Sequence, residues 1–179
     1  MKRILLILLI TVVLTIPAFS DFRADINVQV PALIGYIYQG HIETWGGEDG
    51  SFLTKPIPFP SAGLYYEFDL GLIRLAPGIR VYTFLIQSAL WPNILAEINL
   101  HPLYIQAQIG GLFFYTFGIL GSASGTGNVF FPDVSAWFGF GESGDFRLGL
   151  GVIGLYLPEV IDDGMLICPY IGGQWSVNF

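Results

Sequence analysis

The last thirteen residues alternate strictly between two kinds of side chain, and this alternation limits what the chain can fold into. Side chains of a β-strand point in turn to opposite faces, so such a period of two predicts a strand. One face is apolar and the other is small or polar, as in a strand with lipid on one side and a barrel interior on the other. The apolar face holds Ile167, Pro169, Ile171, Gly173, Trp175, Val177 and Phe179; the other face holds Cys168, Tyr170, Gly172, Gln174, Ser176 and Asn178.

The composition favours a membrane environment for these strands. Hydrophobic residues make up 53% of the chain and charged residues only 12%, whereas a soluble domain carries about 25% charged residues. Beyond the first twenty residues, no apolar run approaches the roughly 20 residues of a spanning helix. The other structure that satisfies its backbone groups in lipid is a closed barrel. A secreted lipocalin-like barrel or a sandwich would need polar outward faces. We therefore predict an all-β, antiparallel up-and-down transmembrane β-barrel.

Turn residues divide the chain into about eight strands. Tight turns are predicted at Pro77-Gly78 and at Trp91-Pro92-Asn93. Connections after strands one, five and seven are longer than those after strands two, four and six, as expected when both termini are periplasmic. The connection after strand three departs from this pattern because it is nearly as short as a periplasmic turn. A missing or merged strand pair is therefore an open alternative. The predicted strands cover residues 24–39, 63–75, 79–90, 94–100, 103–117, 129–141, 146–156 and about 165–179.

The first twenty residues have the organisation of a secretory signal peptide. Met1-Lys2-Arg3 precedes an apolar run from Ile4 to Ile16, and Ala18-Phe19-Ser20 predicts cleavage before Asp21. The alternative is a retained membrane anchor. Residues 21–179 then form one barrel domain. Loss of two cations takes the net charge from −7 to −9, which argues against nucleic-acid binding because phosphate contacts need a basic surface.

The chain ends with Trp175, Val177 and Phe179 at two-residue steps. This ending resembles the C-terminal signal that the outer-membrane barrel insertion machinery recognises. Together with the signal peptide and the strand count, it makes the mature chain similar to the small OmpA-, OmpX- and OmpW-type barrels. The resemblance implies a bacterial outer-membrane location, with outer-membrane lipids and the insertion machinery as partners.

An eight-stranded barrel has an interior just wide enough for side chains or one small ligand. The inward parity predicts a polar and charged layer toward the periplasm and an apolar pocket toward the outside. Inward Gly149 and Gly151 either leave room for a ligand or let Trp137 pack. The predicted polar layer is Asp69, Arg80, Glu97, Arg147, Gln106 and Gln108; the predicted pocket is Leu33, Ile37, Phe84, Ile86, Leu112, Phe114, Ile153 and Leu155.

Three functions are compatible with this pattern. The first is a non-catalytic structural envelope protein with a mostly filled lumen, in which Arg80 and Arg147 pair with Asp69 and Glu97. The second is passive uptake of a small apolar ligand through an outward-open lumen. The third is surface adhesion through the loop at residues 41–62. We expect no catalytic residues, no metal site and no cofactor, and the single cysteine excludes an internal disulfide.

Overall fold

A computed structural model describes residues 20–38, 41–44, 57–84, 86–141, 143–156 and 164–179. These residues form ten strands and, within those ranges, contain no helix long and apolar enough to cross a membrane. All but one residue of the predicted signal peptide lie outside the described residues. The strands are β1 (Ser20–Pro31), β2 (Gly35–Tyr38), β3 (His41–Thr44), β4 (Phe59–Asp69), β5 (Ile73–Phe84), β6 (Gln87–Leu100), β7 (Leu103–Gly118), β8 (Ala123–Phe140), β9 (Phe146–Tyr156) and β10 (Met165–Asn178).

Eight of these strands close into a barrel. β1 and β4 to β10 pair antiparallel in sequence order, and β10 pairs back with β1. The short hairpin of β2 and β3 extends β10 beyond the end of β1. At the opposite end, the backbone amides of Phe22 and Phe179 each donate to the carbonyl oxygen of the other, at 3.1 and 2.8 Å. The predicted all-β, antiparallel up-and-down barrel is confirmed.

The strands are strongly tilted. A row of paired residues that starts at Ser20 and passes once around the barrel ends at Pro169, whose carbonyl accepts from Ala32. The row therefore returns to the first strand 32 − 20 = 12 residues further along. With eight strands, this stagger corresponds to a tilt of about 45° from the barrel axis. A large tilt widens the interior, which here accommodates whole tryptophan, tyrosine and arginine side chains.

Two predicted turns are wrong. Pro77-Gly78 lies inside β5 and Trp91-Pro92-Asn93 lies inside β6. The turn before β5 is at residues 70–72, and β6 begins at Gln87, before Trp91. Proline lacks the N–H that a strand donates to its neighbour and is therefore normally read as a strand breaker. In this barrel six prolines lie within the described strands and are exposed or half-buried: Pro31, Pro60, Pro77, Pro92, Pro132 and Pro169. The predicted loop at residues 118–128 is also wrong, because β8 begins at Ala123.

Three of the six prolines in the described strands coincide with interruptions of the hydrogen-bonded ladder, whereas Pro31, Pro60 and Pro169 lie in uninterrupted pairing. Pairing of β4 with β5 skips two residue pairs opposite Pro77. The register of β6 with β7 shifts across Pro92, and pairing of β8 with β9 is interrupted across Pro132. Proline supplies no N–H donor at these positions, and the shift at Pro92 also coincides with two extra residues in β7, next to the positive φ angles of Gly111 and Leu112. These three prolines thus lie where the local pairing is incomplete.

Candidate functional site

The lumen end next to the turns that follow β4, β6 and β8, which we call the short turns, holds five charged side chains. We call them the basal charge cluster: Arg23, Asp25, Glu67, Glu97 and Arg147. Each is at most 4% exposed. Arg23 bonds all three carboxylates, through Nε to Asp25 at 2.8 Å, Nη1 to Glu67 at 2.9 Å and Nη2 to Glu97 at 3.0 Å. Arg147 Nη1 donates to the same Glu97 Oε2 at 2.7 Å. A buried charge is stable only when paired in this way.

Neighbouring side chains donate further hydrogen bonds to the basal charge cluster, although Glu97 Oε1 accepts none. Gln106 Nε2 donates to Glu97 at 2.7 Å, and Ser176 Oγ donates to Asp25 at 2.7 Å. Arg74, which is 22% exposed at the rim, lies 3.6 Å from Glu97 Oε1. With Arg74 included, three arginines face three buried carboxylates, so the charges balance within the lumen.

A second group, the central polar cluster, lies further from the short turns and is centred on Arg80 and Asp133. Arg80 Nη1 lies 3.4 Å from Asp133 Oδ2, and it also donates to Gln108. Its Nη2 donates to Ser61 Oγ at 3.2 Å. Tyr170 donates its hydroxyl to Asp133 Oδ1 at 2.7 Å. All five side chains are buried, so this ion pair spans the barrel between strands β5 and β8.

Above the central polar cluster, toward the long connections, the lumen is filled by stacked rings that we call the aromatic layer. Trp91 stacks on Phe131 with ring centroids 4.1 Å apart and on Tyr82 with centroids 5.1 Å apart. Phe59 contacts Tyr82 at 6.0 Å. Each of the four rings is at most 8% exposed. The layer therefore closes much of the barrel cross-section with apolar surface.

The inward glycines of β9 are covered by aromatic rings. A side chain at Gly149 would collide with the indole of Trp137, and one at Gly151 would collide with the ring of Tyr170. Trp137 is 1% exposed and Tyr170 is 2% exposed. These two positions therefore accommodate bulky neighbours, which was one of the two alternatives that the sequence left open.

Five of the six residues predicted for the polar layer lie buried in the lumen: Glu97, Arg147 and Gln106 around the basal charge cluster, and Arg80 and Gln108 in the central polar cluster. The prediction for Asp69 is wrong. Its side chain is 47% exposed at the end of β4, where it caps the turn through Gly71 N at 2.7 Å and pairs with Arg74 at 3.3 Å. With the turn predicted at Pro77-Gly78, the strand would have continued to Leu75 and Asp69 would have lain inside the lumen, several residues from the turn.

The structure brings together only part of the predicted apolar pocket. Ile153 is buried, and Phe114 and Leu155 are half-buried against the aromatic layer. Leu33 is half-buried just before β2, and Ile37 is half-buried within it. The side chain of Phe84 lies outside the described residues. Two assignments are wrong: Ile86 is 49% exposed in a turn, and Leu112 is 66% exposed at a bulge. The Leu112 backbone adopts a φ of 65°, which breaks the strand parity there.

The predicted polar layer lacked four charged members of the lumen: Arg23, Asp25, Glu67 and Asp133. Asp25 and Glu67 lie at inward positions of strands that were predicted. Arg23 precedes Ala24, where the first strand was predicted to begin, so extending the alternation back to Ser20 would have found it. Asp133 shares the parity of Trp137, and this inward position alone would have identified it.

The predicted assembly residues face outward at the end of β10, with Phe179 directly after the strand. Trp175 is 55% exposed, Val177 is 39% exposed and Phe179 is 70% exposed. Phe179 stacks on Phe22 of β1 with ring centroids 6.1 Å apart. The last residue therefore lies at the seam where the first and last strands meet.

The chain is similar in fold to solved small outer-membrane barrels. Neisserial surface protein A matches with a TM-score of 0.47 and 9% identity, over 88% of this chain and 97% of that chain. The N-terminal barrel domain of Pseudomonas aeruginosa OprF matches with a TM-score of 0.40 and 10% identity, over 86% and 97%. The attachment invasion locus protein Ail of Yersinia pestis matches with a TM-score of 0.38 and 10% identity, over 88% and 99%. No protein-family model and no curated protein sequence matches the chain.

Proposed function

We propose that this protein is a non-catalytic structural barrel of a bacterial outer membrane, with the short turns and both termini in the periplasm. Its outer surface supports a lipid environment, because the mid-height outward side chains are aliphatic and highly exposed. Exposing such a surface to water costs about 25 cal/mol of free energy for each Å² of apolar area. Members of this belt are Ile26 (53%), Leu64 (46%), Ile94 (55%), Val134 (58%), Leu150 (62%) and Ile171 (61%).

Aromatic rings on the outer surface, at both ends of the barrel, support the same lipid environment. Transmembrane barrels carry aromatic girdles where the apolar band meets the headgroups. Here rings from β1, β4, β8, β9 and β10 contact one another in pairs on the outer surface. A smaller set lies at the other end, on β7, β8 and β9. The first set is Phe22, Tyr66, Phe68, Phe138, Phe140, Phe146 and Phe179; the second is Tyr115, Phe117, Phe130 and Tyr156.

The filled lumen is the observation that supports a structural role rather than a transport role. A solute crossing the barrel would have to displace the aromatic layer, the Arg80–Asp133 pair and the basal charge cluster in turn. Each layer is held by ring stacking or by ion pairs shorter than 3.5 Å. Opening a buried ion pair without replacing both partners costs several kcal/mol.

Liposome swelling tests this proposal. The protein is reconstituted, and its folded state is verified by the heat-dependent shift in electrophoretic mobility. Liposome swelling is then measured with small sugars. For small apolar solutes, uptake into the liposomes is measured instead. We expect rates equal to those of empty liposomes, with a general porin as the positive control. Solute-size-dependent swelling above the empty control would contradict a structural role.

Passive uptake of small apolar molecules is a second candidate, favoured by one observation. Phe114 and Leu155 are only half-buried above the aromatic layer, which gives the loop end of the lumen an apolar lining. If this lining admits a ligand, Leu155→Arg should abolish uptake of apolar solutes without preventing folding. Unchanged uptake in that variant would argue against the pocket.

Adhesion through the loop remains a third prediction. Residues 41–44 form β3 and residues 59–62 belong to β4, so the predicted 41–62 loop is shorter than expected, and its central part lies outside the described residues. Replacing residues 45–56 with a short turn should remove binding to host surfaces and keep the barrel. Binding that survives this replacement would exclude the loop as the adhesive element.

A further inference from the structure

One part of the lumen holds buried polar atoms that the protein itself does not satisfy. Gln29 is completely buried, yet neither Oε1 nor Nε2 of its amide has a hydrogen-bond partner. Asn27 Oδ1 and Arg80 Nε are also buried without a partner. Leaving a buried donor or acceptor unsatisfied costs about 1–3 kcal/mol. These four atoms therefore call for a ligand that bonds them, whereas Glu97 Oε1, a fifth unpaired atom of the lumen, has Arg74 Nη1 at 3.6 Å.

The strand register places these atoms in one region of the lumen. Asn27 and Gln29 are two residues apart on β1, so they point to the same face. Asn27 pairs with Ser61 of β4, and Ser61 Oγ lies 3.2 Å from Arg80 Nη2. The four atoms thus lie on β1 and on β5, with Ser61 of the intervening strand β4 between them, beside the central polar cluster.

The neighbouring strand on the other side places no side chain opposite Gln29. There β10 contributes Gly172, which pairs directly with Gln29 and carries no side chain. A Cβ atom built at Gly172 would lie 2.7 Å from the carbonyl oxygen of Val28 and 3.5 Å from Gln29 Cγ. The atoms nearest to Gly172 on this side thus belong to β1 itself.

The hydrogen-bonding character of the four atoms identifies the ligand class. Arg80 Nε and Gln29 Nε2 are donors, whereas Asn27 Oδ1 and Gln29 Oε1 are acceptors. An anion would leave the acceptors unbonded, and the guanidinium would repel a cation. A neutral molecule that both donates and accepts satisfies all four, and water does so in the smallest space. We propose that Asn27, Gln29 and Arg80 form a binding site for ordered internal water, enclosed by the aromatic layer above and the basal charge cluster below.

Solution NMR of the unmodified protein in lipid nanodiscs tests this site directly. Bound water should give nuclear Overhauser cross-peaks to the side-chain amide protons of Gln29 and to the Nε proton of Arg80. Their sign should indicate residence longer than about a nanosecond. The Gln106 amide, which donates to Glu97 and Gln174, serves as the internal negative control. Absence of water cross-peaks at Gln29 and Arg80, with both resonances resolved, would overturn the proposal.

Two variants of similar side-chain shape give an independent test, because the direction of the change in the unfolding equilibrium constant distinguishes a hydrated region from a dry one. If water bonds the Gln29 amide, Gln29→Met removes those bonds and should raise the unfolding equilibrium constant about tenfold. If the region is dry, the same change removes two unsatisfied groups, and the constant should fall. Gln106→Met should raise the constant in either case, which verifies that the assay detects the loss of a buried amide. A fall or no change for Gln29→Met beside a rise for Gln106→Met would refute the water site. In the NMR experiment, a cross-peak from a small molecule other than water at Gln29 would also refute the water site.

Discussion

Replacing Glu97 with glutamine keeps the shape of the side chain but removes one charge from the centre of the basal charge cluster. Glu97 Oε2 accepts from Arg23 at 3.0 Å, from Arg147 at 2.7 Å and from Gln106 at 2.7 Å, and the residue is fully buried. After the change, three arginines face only two carboxylates, and one amide hydrogen points at a guanidinium. Breaking a buried ion pair by removing one partner costs about 3–5 kcal/mol. We expect a loss of that size from the free energy of unfolding.

The matched control is Asp69→Asn at the rim. Asp69 also pairs with an arginine, at 3.3 Å, but its side chain is 47% exposed. Exposed pairs contribute about 0–1 kcal/mol, so this variant should unfold almost as the unmodified protein does. Added salt should leave the Glu97→Gln effect largely unchanged, because ions screen buried charges weakly.

Reversible urea unfolding in lipid vesicles provides the assay. Trp91 and Trp137 are buried in the lumen, so their fluorescence reports the loss of the folded barrel. The free energy of unfolding is obtained by linear extrapolation to zero urea. If Glu97→Gln and Asp69→Asn lower this free energy by the same small amount, the reasoning from burial and pairing is refuted.

Three further predictions concern other parts of the barrel. Trp91→Ala removes the ring between Tyr82 and Phe131 and should cost about 3–5 kcal/mol of unfolding free energy; a loss below 1 kcal/mol would show that the aromatic layer is loosely packed. Pro132→Val restores a strand N–H and should stabilise the barrel by about 0.5–1.5 kcal/mol, through one added hydrogen bond; amide exchange should detect that bond, and an unprotected amide would contradict it. Deletion of Phe179 should reduce the fraction of heat-modifiable, membrane-assembled protein in cells, and normal assembly would show that this residue is not an insertion signal.

The period-two pattern was sufficient to predict the barrel and the facing of its last strand. Gln174 is buried and Trp175 is exposed, as the alternation requires. Height within the barrel could not be predicted as well, because it depends on where each turn lies. Reading Pro77-Gly78 as a turn displaced Asp69 upward by several residues. Proline in a strand is uncommon enough that the sequence gives no local sign of it.

Pairing within the lumen depends on contacts that sequence cannot show. The pairing of Arg147 with Glu97 agrees with the structure, at 2.7 Å. Arg80 instead pairs with Asp133, which lies 53 residues away in sequence. Such partners are determined by the stagger of the strands around the barrel, and a single sequence contains no direct record of that stagger.

The stagger of twelve residues also limits the membrane in which this barrel fits. At a tilt of about 45°, each strand residue advances roughly 2.3 Å along the membrane normal, so an apolar band of about 25 Å needs about eleven residues. The two shortest barrel strands, β4 and β9, have 11 residues each. They span such a band with no residue to spare, and a thicker bilayer would draw their ends into hydrocarbon or force the lipid to thin around them. Hydrophobic mismatch should therefore confine the protein to thin membranes.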